Sequence, residues 1–161
     1  MRILICIPLI FCATSVAYKT DDSVKYLTVK NIDPLEYSLD RSVTEESFVA
    51  FATFTDSETH SSNFGQLFVE SNGNFSDDNQ GFAAGFAEGY LTAERTFQHA
   101  YNMMCQVDCS GKAPPEVAKF FEEQNAWIRS EIALNKDTDA MWNFMSFLVH
   151  QFDGLVAGRH I

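Results

Sequence analysis

The segment Gly81–Arg95, GFAAGFAEGYLTAER, decides the fold because it combines a helical period with a row of small residues. Gly81, Gly85 and Gly89 recur every four residues, which places them on one side of an α-helix. Glycine costs about 1 kcal/mol relative to alanine inside a helix, so three on one side predict that another element packs closely there. The same row continues through Thr92, Thr96 and Ala100.

The other sides of this helix carry aromatic and charged residues. Glu88, Arg95 and Asn102 fall on one side, which we expect to face water. The Gly-x-x-x-Gly spacing also occurs in transmembrane helix dimers, but charged residues interrupt the segment, and we expect a buried helix of a soluble protein. A further arc, expected to fill a core, consists of Phe82, Phe86, Tyr90, Phe97 and Tyr101.

Short segments of β-forming residues precede the helix. Residues 26–29, 48–55 and 64–70 are rich in β-branched and aromatic residues and too short for typical helices. Asp33-Pro34 separates the first from the second. We predict that the second and third pair as an antiparallel hairpin with a long connection.

Two further helices are predicted after the first. Pro115 suits the first turn of one helix, and Asn135–Asp137 separates it from the next, which we expect to end at Gly154 and Gly158. The fold class is therefore α+β, with N-terminal hairpin strands followed by three packed helices. The predicted apolar stripes are Val117, Phe120, Phe121, Trp127, Ile128 and Ile132 in the second helix, and Met141, Trp142, Met145, Leu148, Val149 and Phe152 in the third.

The first 17 residues have the layout of a cleavable secretory signal. Arg2 is followed by an apolar run, and Ser15-Val16-Ala17 supplies small residues for cleavage before Tyr18. The run is shorter than the roughly 20 residues that span a bilayer, and no comparable run follows. We predict a signal peptide over 1–17, a mature part over 18–161 without a transmembrane segment, and secreted or lysosomal localisation.

Secretion changes the interpretation of the cysteines and of one asparagine. Cys105 and Cys109 are the cysteines that remain after residue 17, and an isolated pair in an oxidising compartment is most simply a disulfide. A metal site is disfavoured because no histidine or second pair lies at ligand spacing. Asn74-Phe75-Ser76 is a glycosylation sequon, so Asn74 is the predicted glycosylation site.

The residues by themselves offer little chemistry. The net charge is −11, and removal of Arg2 with the signal changes it to −11 − 1 = −12, which argues against a nucleic-acid partner. No Gly-x-Ser-x-Gly elbow or phosphate-binding loop occurs. The four histidines lack metal-ligand spacing, so ordinary surface or partly buried roles fit them better. We predict no catalytic residue, no metal and no cofactor within this sequence.

Several segments together resemble the phospholipase B-like family. These are residues 63–71, the glycine-rich helix over 81–95, the cysteine-containing loop, a helix containing Asn125–Ile128, and Met141-Trp142 leading to Phe152–Leu155. Their order and spacing agree over nearly the whole sequence after residue 17. The resemblance is therefore more specific than the glycine-rich helix alone.

The resemblance implies an N-terminal-nucleophile hydrolase with an αββα architecture, of which this sequence is the N-terminal portion. Such enzymes remove acyl chains from phospholipids, and the thiol of a cysteine exposed by internal cleavage attacks the substrate carbonyl. The matching cysteine would lie beyond residue 161, and neither Cys105 nor Cys109 occupies its place. The expected partners are a phospholipid substrate of the complete enzyme and the remaining C-terminal portion.

A second hypothesis comes from a different functional class. The sequence is then a secreted, non-catalytic interaction or inhibitor protein built from the front half of the hydrolase. A downstream cysteine in the transcript would distinguish the first hypothesis from the second.

Overall fold

An antiparallel sheet is followed by three helices in the computed structural model, which describes residues 2–5, 24–39, 48–56, 65–105 and 113–160. The strands are β1 (Arg2–Ile5), β2 (Lys25–Ile32), β3 (Leu35–Ser38), β4 (Ala50–Thr55) and β5 (Gln66–Ser71). Their order across the sheet is β1-β5-β4-β2-β3. The helices are α1 (Asp77–Cys105), α2 (Pro115–Asn135) and α3 (Ala140–Arg159). The α+β class is confirmed.

The predicted hairpin is confirmed, because β4 and β5 pair antiparallel with Ala52 opposite Val69. Two strands were not predicted. β3 forms a second hairpin with β2 across the turn at Asp33-Pro34, and its four residues are too few to show a period. β1 lies within the predicted signal sequence and pairs with β5 at the sheet edge. Cleavage after Ala17 would leave the four strands β2–β5.

One face of the sheet forms the core together with α1. Alternate residues of β4 and β5 are buried, as expected for a sheet covered on this face, whereas in β2 the three consecutive residues Leu27–Val29 are buried. The side of α1 that meets them is alanine-rich, so the helix lies close to the strands. The buried set is Leu27, Val29, Val49, Ala50, Ala52, Phe54, Leu67, Val69, Ala83, Ala84, Phe86, Ala87 and Leu91.

The glycine row of α1 packs against the backbone of α3, which confirms the predicted close approach. The Cβ of an alanine at Gly81 would lie 2.8 Å from the carbonyl oxygen of Phe147. At Gly85 and Gly89 it would overlap the backbone of Gln151 and Leu155. The contacts advance in the same order along both helices, so α1 and α3 run parallel. Pro115–Asn135 supplies the antiparallel return between them.

Gly154 and Gly158 do not end the third helix, and that prediction was wrong. Both lie inside α3, where their missing side chains leave room for the backbone of Phe82 and Phe86 in α1. Each helix thus presents small residues to the other. A glycine near the end of a helical pattern resembles a C-cap in sequence, whereas here it serves close packing.

The predicted apolar stripes of α2 and α3 are largely exposed. In α2 the buried residue is Ile132, and Phe120 is 56% exposed. In α3 the buried positions are Ser146, Gly154 and Gly158, because the small side of this helix faces α1. Exposed stripe residues include Val117, Phe120, Phe121, Trp127, Met141, Leu148 and Phe152.

The aromatic arc of α1 is buried at one end only. Phe86 is fully buried, whereas Phe97 and Tyr101 are exposed. A helix of 29 residues is about 44 Å long, but a six-residue strand covers about 20 Å. The C-terminal end of α1, which carries Phe97 and Tyr101, therefore extends beyond the sheet.

Arg95 does not face water, which corrects the prediction for that side of α1. Its Nη2 lies 2.7 Å from Oδ2 of Asp56, at the end of β4, and its Nε donates to the same oxygen at 2.8 Å. The two side chains are only 12% and 15% exposed. This ion pair attaches the middle of α1 to the sheet, while Asn102 is exposed as expected.

Candidate functional site

A cleft of about 230 Å³ lies where β5, α1 and α3 meet. Val69 and Ser71 form its wall on the sheet side, and the rings of Phe144 and Phe147 form the wall from α3. These two rings are stacked, with centroids 6.3 Å apart and planes inclined by 16°. The further lining residues are Asp77, Gln80, Ala84, Glu88, Ala140, Asn143 and Gln151.

Glu88 is a lining residue whose pKa is shifted by its surroundings. Its carboxyl group is partly buried, and this burial raises its pKa above the ordinary value, although a hydrogen bond from the side chain of Gln151 acts in the opposite direction. The prediction that Glu88 faces water is therefore wrong. Helical spacing gave its direction on α1 correctly, but α3 and β5 occupy the space on that side.

The cleft favours binding over catalysis by its own residues. The hydroxyl of Ser71 donates to Oε1 of Gln80 at 3.0 Å, and an amide oxygen does not activate a nucleophile as a base. Among the described lining residues there is no cysteine, histidine or lysine. The carboxyl group of Glu88 can accept hydrogen bonds or hold a proton, and its apolar surroundings strengthen both interactions.

Asp78, Ser146 and His150 form a second polar cluster, beside the cleft. Ser146 Oγ donates to Oδ1 of Asp78 at 2.8 Å, and Lys136 Nζ lies 3.3 Å from Oδ2. His150 Nδ1 lies 2.8 Å from the carbonyl oxygen of Ser146 and 3.4 Å from Asp78 Oδ1. The cluster joins the first turn of α1 to α3 and to the end of α2.

The residue types are those of a Ser-His-Asp triad, but the geometry is not. In a triad the serine hydroxyl donates to the imidazole, which accepts its proton. Here the hydroxyl donates to the carboxylate, and Ser146 is completely buried. Substrate cannot reach this hydroxyl, so the cluster is a structural junction between helices.

The charge of Asp78 is stabilised by this junction. Burial acts to raise its pKa, but the hydrogen bond from Ser146 and the positive charges of His150 and Lys136 outweigh burial. The pKa of Asp78 is therefore lowered, and the carboxylate is the form that the fold prefers.

The structure places the other predicted residues apart from the cleft. Asn74 is exposed in the turn between β5 and α1, where its backbone N–H donates to Oδ1 of Asn72. Cys105 is the last residue of α1, and Cys109 lies outside the described residues, as does His60. His99 and His160 are exposed. In the described ranges no group of three His, Cys, Asp or Glu side chains could hold a metal, and no helix is long and apolar enough to cross a membrane.

Sequence reasoning missed the Glu88–Gln151 contact and the Asp78–Ser146 contact. Both join side chains more than 60 positions apart, and neither pair has a sequence signature. The signal that could have led to them was the glycine row. Had α3 been identified as its partner, the residues adjoining the glycines would have been candidates for contact.

Comparison with known proteins finds matches over much of the length of this chain. The family profile described as Phospholipase B matches residues 50–160. "Phospholipase-B 81" of Drysdalia coronoides is 38% identical over 78 residues, which are 48% of this chain and 14% of that protein. Human "Phospholipase B-like 1" is 38% identical over 77 residues, with the same shares.

A more distant relative extends the match along this chain. "Phospholipase B-like protein C" of Dictyostelium discoideum is 28% identical over 110 residues, 68% of this chain and 19% of its own length. The chain thus spans between about one seventh and one fifth of these relatives. Because the family profile covers more than half of the residues, including β4, β5 and all three helices, this chain belongs to the phospholipase B family.

Proposed function

We propose that this chain is the N-terminal portion of a secreted or lysosomal hydrolase that removes acyl chains from phospholipids. The observation that carries the proposal is the match of the Phospholipase B family profile to residues 50–160. Relatives named phospholipase B support the substrate class. They are much longer than this chain, so the proposed activity belongs to the longer polypeptide.

The chemistry of the described residues agrees with assigning the activity to the longer polypeptide. The cleft contains no described nucleophile–base pair, and Ser146 is fully buried in a junction between helices. The attacking thiol of the proposed N-terminal-nucleophile mechanism would come from the remaining C-terminal portion. Phospholipid would be the substrate of the complete enzyme only.

The proposed αββα architecture is supported by aromatic residues on the face of the sheet opposite α1. Tyr26, Phe51 and Phe68 project from the face opposite α1 and are only partly buried. Tyr26 and Phe51 stack with ring centroids 6.4 Å apart. Aromatic residues on both faces are typical of a sheet covered on both sides, and in this proposal a second sheet covers the outer face.

Passage through the secretory pathway is part of the same proposal. The signal sequence 1–17 would direct entry, Asn74 would carry a glycan, and Cys105 and Cys109 would form a disulfide. The exposed position of Asn74 in a turn supports the second step.

The test is release of fatty acid from phosphatidylcholine by two secreted products expressed in parallel. One product is this chain alone, and the other is the full open reading frame to which it belongs. We expect turnover by the full product and none by this chain. Equal turnover by both would refute the division of function, and inactivity of the processed full product would refute the hydrolase proposal.

A further inference from the structure

The cleft between β5, α1 and α3 has a lining that selects one class of ligand. Asp77 and Glu88 contribute two carboxyl groups, and none of the described lining residues is basic. Ala84, Phe144 and Phe147 provide apolar surface. A matching ligand therefore carries a hydrogen-bond donor or a positive charge on an apolar body.

Glu88 distinguishes a positive ligand from a neutral one. Its described partner is the neutral amide of Gln151, which leaves carboxylate lone pairs available to a ligand. A carboxylate in partly apolar surroundings interacts more strongly with a cation than one in water does.

The size of the cleft limits the apolar body. Its volume of about 230 Å³ is below the roughly 300–1,000 Å³ of sites that enclose drug-sized molecules. A short alkyl group fits this space, whereas a phospholipid does not. A free fatty acid is disfavoured on charge, because its carboxylate would oppose Glu88 and Asp77.

We propose that this cleft binds a small alkylammonium ion, with the ammonium group paired to Glu88 and the alkyl group against Phe144 and Phe147. This proposal rests on described residues of this chain alone and goes beyond the proposed function. It also does not depend on the identity of the phospholipid substrate.

The first test compares three probes that share one alkyl group: n-hexylammonium, hexan-1-ol and hexanoate. Binding to the purified full chain is followed by ligand-observed NMR at concentrations up to about 10 mM, which detects millimolar affinities. We expect hexylammonium to bind most tightly, hexanol more weakly and hexanoate least. Equal affinity for hexanoate, or no binding of hexylammonium, overturns the proposal.

Matched variants locate the bound ion. Glu88→Gln keeps the shape of the side chain and removes its charge, and we expect a roughly tenfold or larger loss of hexylammonium affinity, as for a charged hydrogen bond. Glu122→Gln makes the same charge change on the exposed surface of α2 and should leave the affinity unchanged. Equal losses in both variants would show non-specific attraction by the net charge and would overturn the assignment.

A third variant keeps the proposal testable if Glu88→Gln does not fold. Phe144 is 56% exposed, so Phe144→Ala should fold, as checked by circular dichroism. It should weaken hexylammonium and hexanol alike, because it removes apolar contact without changing charge. Unchanged affinity for both probes would place the binding site elsewhere.

Discussion

Substitution of Gly85 by alanine tests whether the contact between α1 and α3 organises this fold. The added Cβ would overlap the carbonyl oxygen and carbonyl carbon of Gln151, which are backbone atoms that no side-chain rotation can move. The two helices must separate, and the neighbouring contacts at Gly81 and Gly89 would loosen with them. The perturbation is one methyl group.

The expected magnitude follows from two opposing effects. Alanine is favoured over glycine by about 1 kcal/mol inside a helix, whereas overpacking costs about 1–3 kcal/mol. Because the new methyl group meets backbone atoms, we expect the upper end of that range and a net loss of about 1–2 kcal/mol. For a chain of this size the midpoint of thermal unfolding should fall by about 2–8 °C.

Gly73→Ala is the matched control for this experiment. No atom lies within 4 Å of the position that its Cβ would take, so the variant should be as stable as the parent or slightly more stable. The assay is urea unfolding followed by far-ultraviolet circular dichroism, together with the secreted yield. A Gly85→Ala variant as stable as Gly73→Ala would refute the packing argument.

Four further predictions concern ionisation and modification. Glu88→Gln should stabilise the chain at neutral pH, because folding raises the pKa of Glu88 and its negative charge therefore opposes folding at that pH. This gain in the free energy of unfolding should disappear as pH falls below about 4. Urea midpoints at several pH values measure this gain, and a gain that persists in acid would contradict the burial argument. Asp78→Asn should cost about 1–2 kcal/mol at neutral pH, because the hydrogen bond from Ser146 is no longer to a charged group and the ion pair with Lys136 is lost. Folding lowers the pKa of Asp78, so the stability that its carboxylate contributes is present above the unfolded pKa and is lost as pH falls through the folded pKa. The variant should therefore lose less stability in acid than the parent does. Parallel pH profiles of the two proteins would contradict this. In the secreted chain, endoglycosidase should remove a glycan that is absent from Asn74→Gln, and unchanged gel mobility after digestion would refute this. Non-reducing peptide mapping should find Cys105 linked to Cys109, and two free thiols would refute that disulfide.

Local pattern predicted the secondary structure well and the burial of helix faces less well. The hairpin of β4 and β5 and the three helices appear where the sequence period changes. The apolar stripes of α2 and α3 did not identify the packed faces. Apolar spacing reports which side of a helix prefers to leave water, but α3 meets α1 through Ser146, Gly154 and Gly158, since small residues permit the closest backbone approach.

The cleft could not be predicted from the sequence, because it exists only between elements. Its lining comes from β5, α1 and α3, and the burial of Glu88 depends on where α3 lies. The Arg95–Asp56 ion pair has the same origin, since its residues are 39 positions apart and meet only when α1 crosses the sheet.

The sequence by itself determined the α+β class, the paired strands β4 and β5, and the glycine row that requires a close neighbour. These properties follow from local conformational preference and from the period of apolar and small residues. Only the tertiary structure decided that the neighbour is α3 running parallel to α1, and that Glu88 lines a cleft. The physical reason is that burial and pKa depend on every element surrounding a side chain, whereas spacing along the chain determines only the direction in which that side chain leaves its own helix.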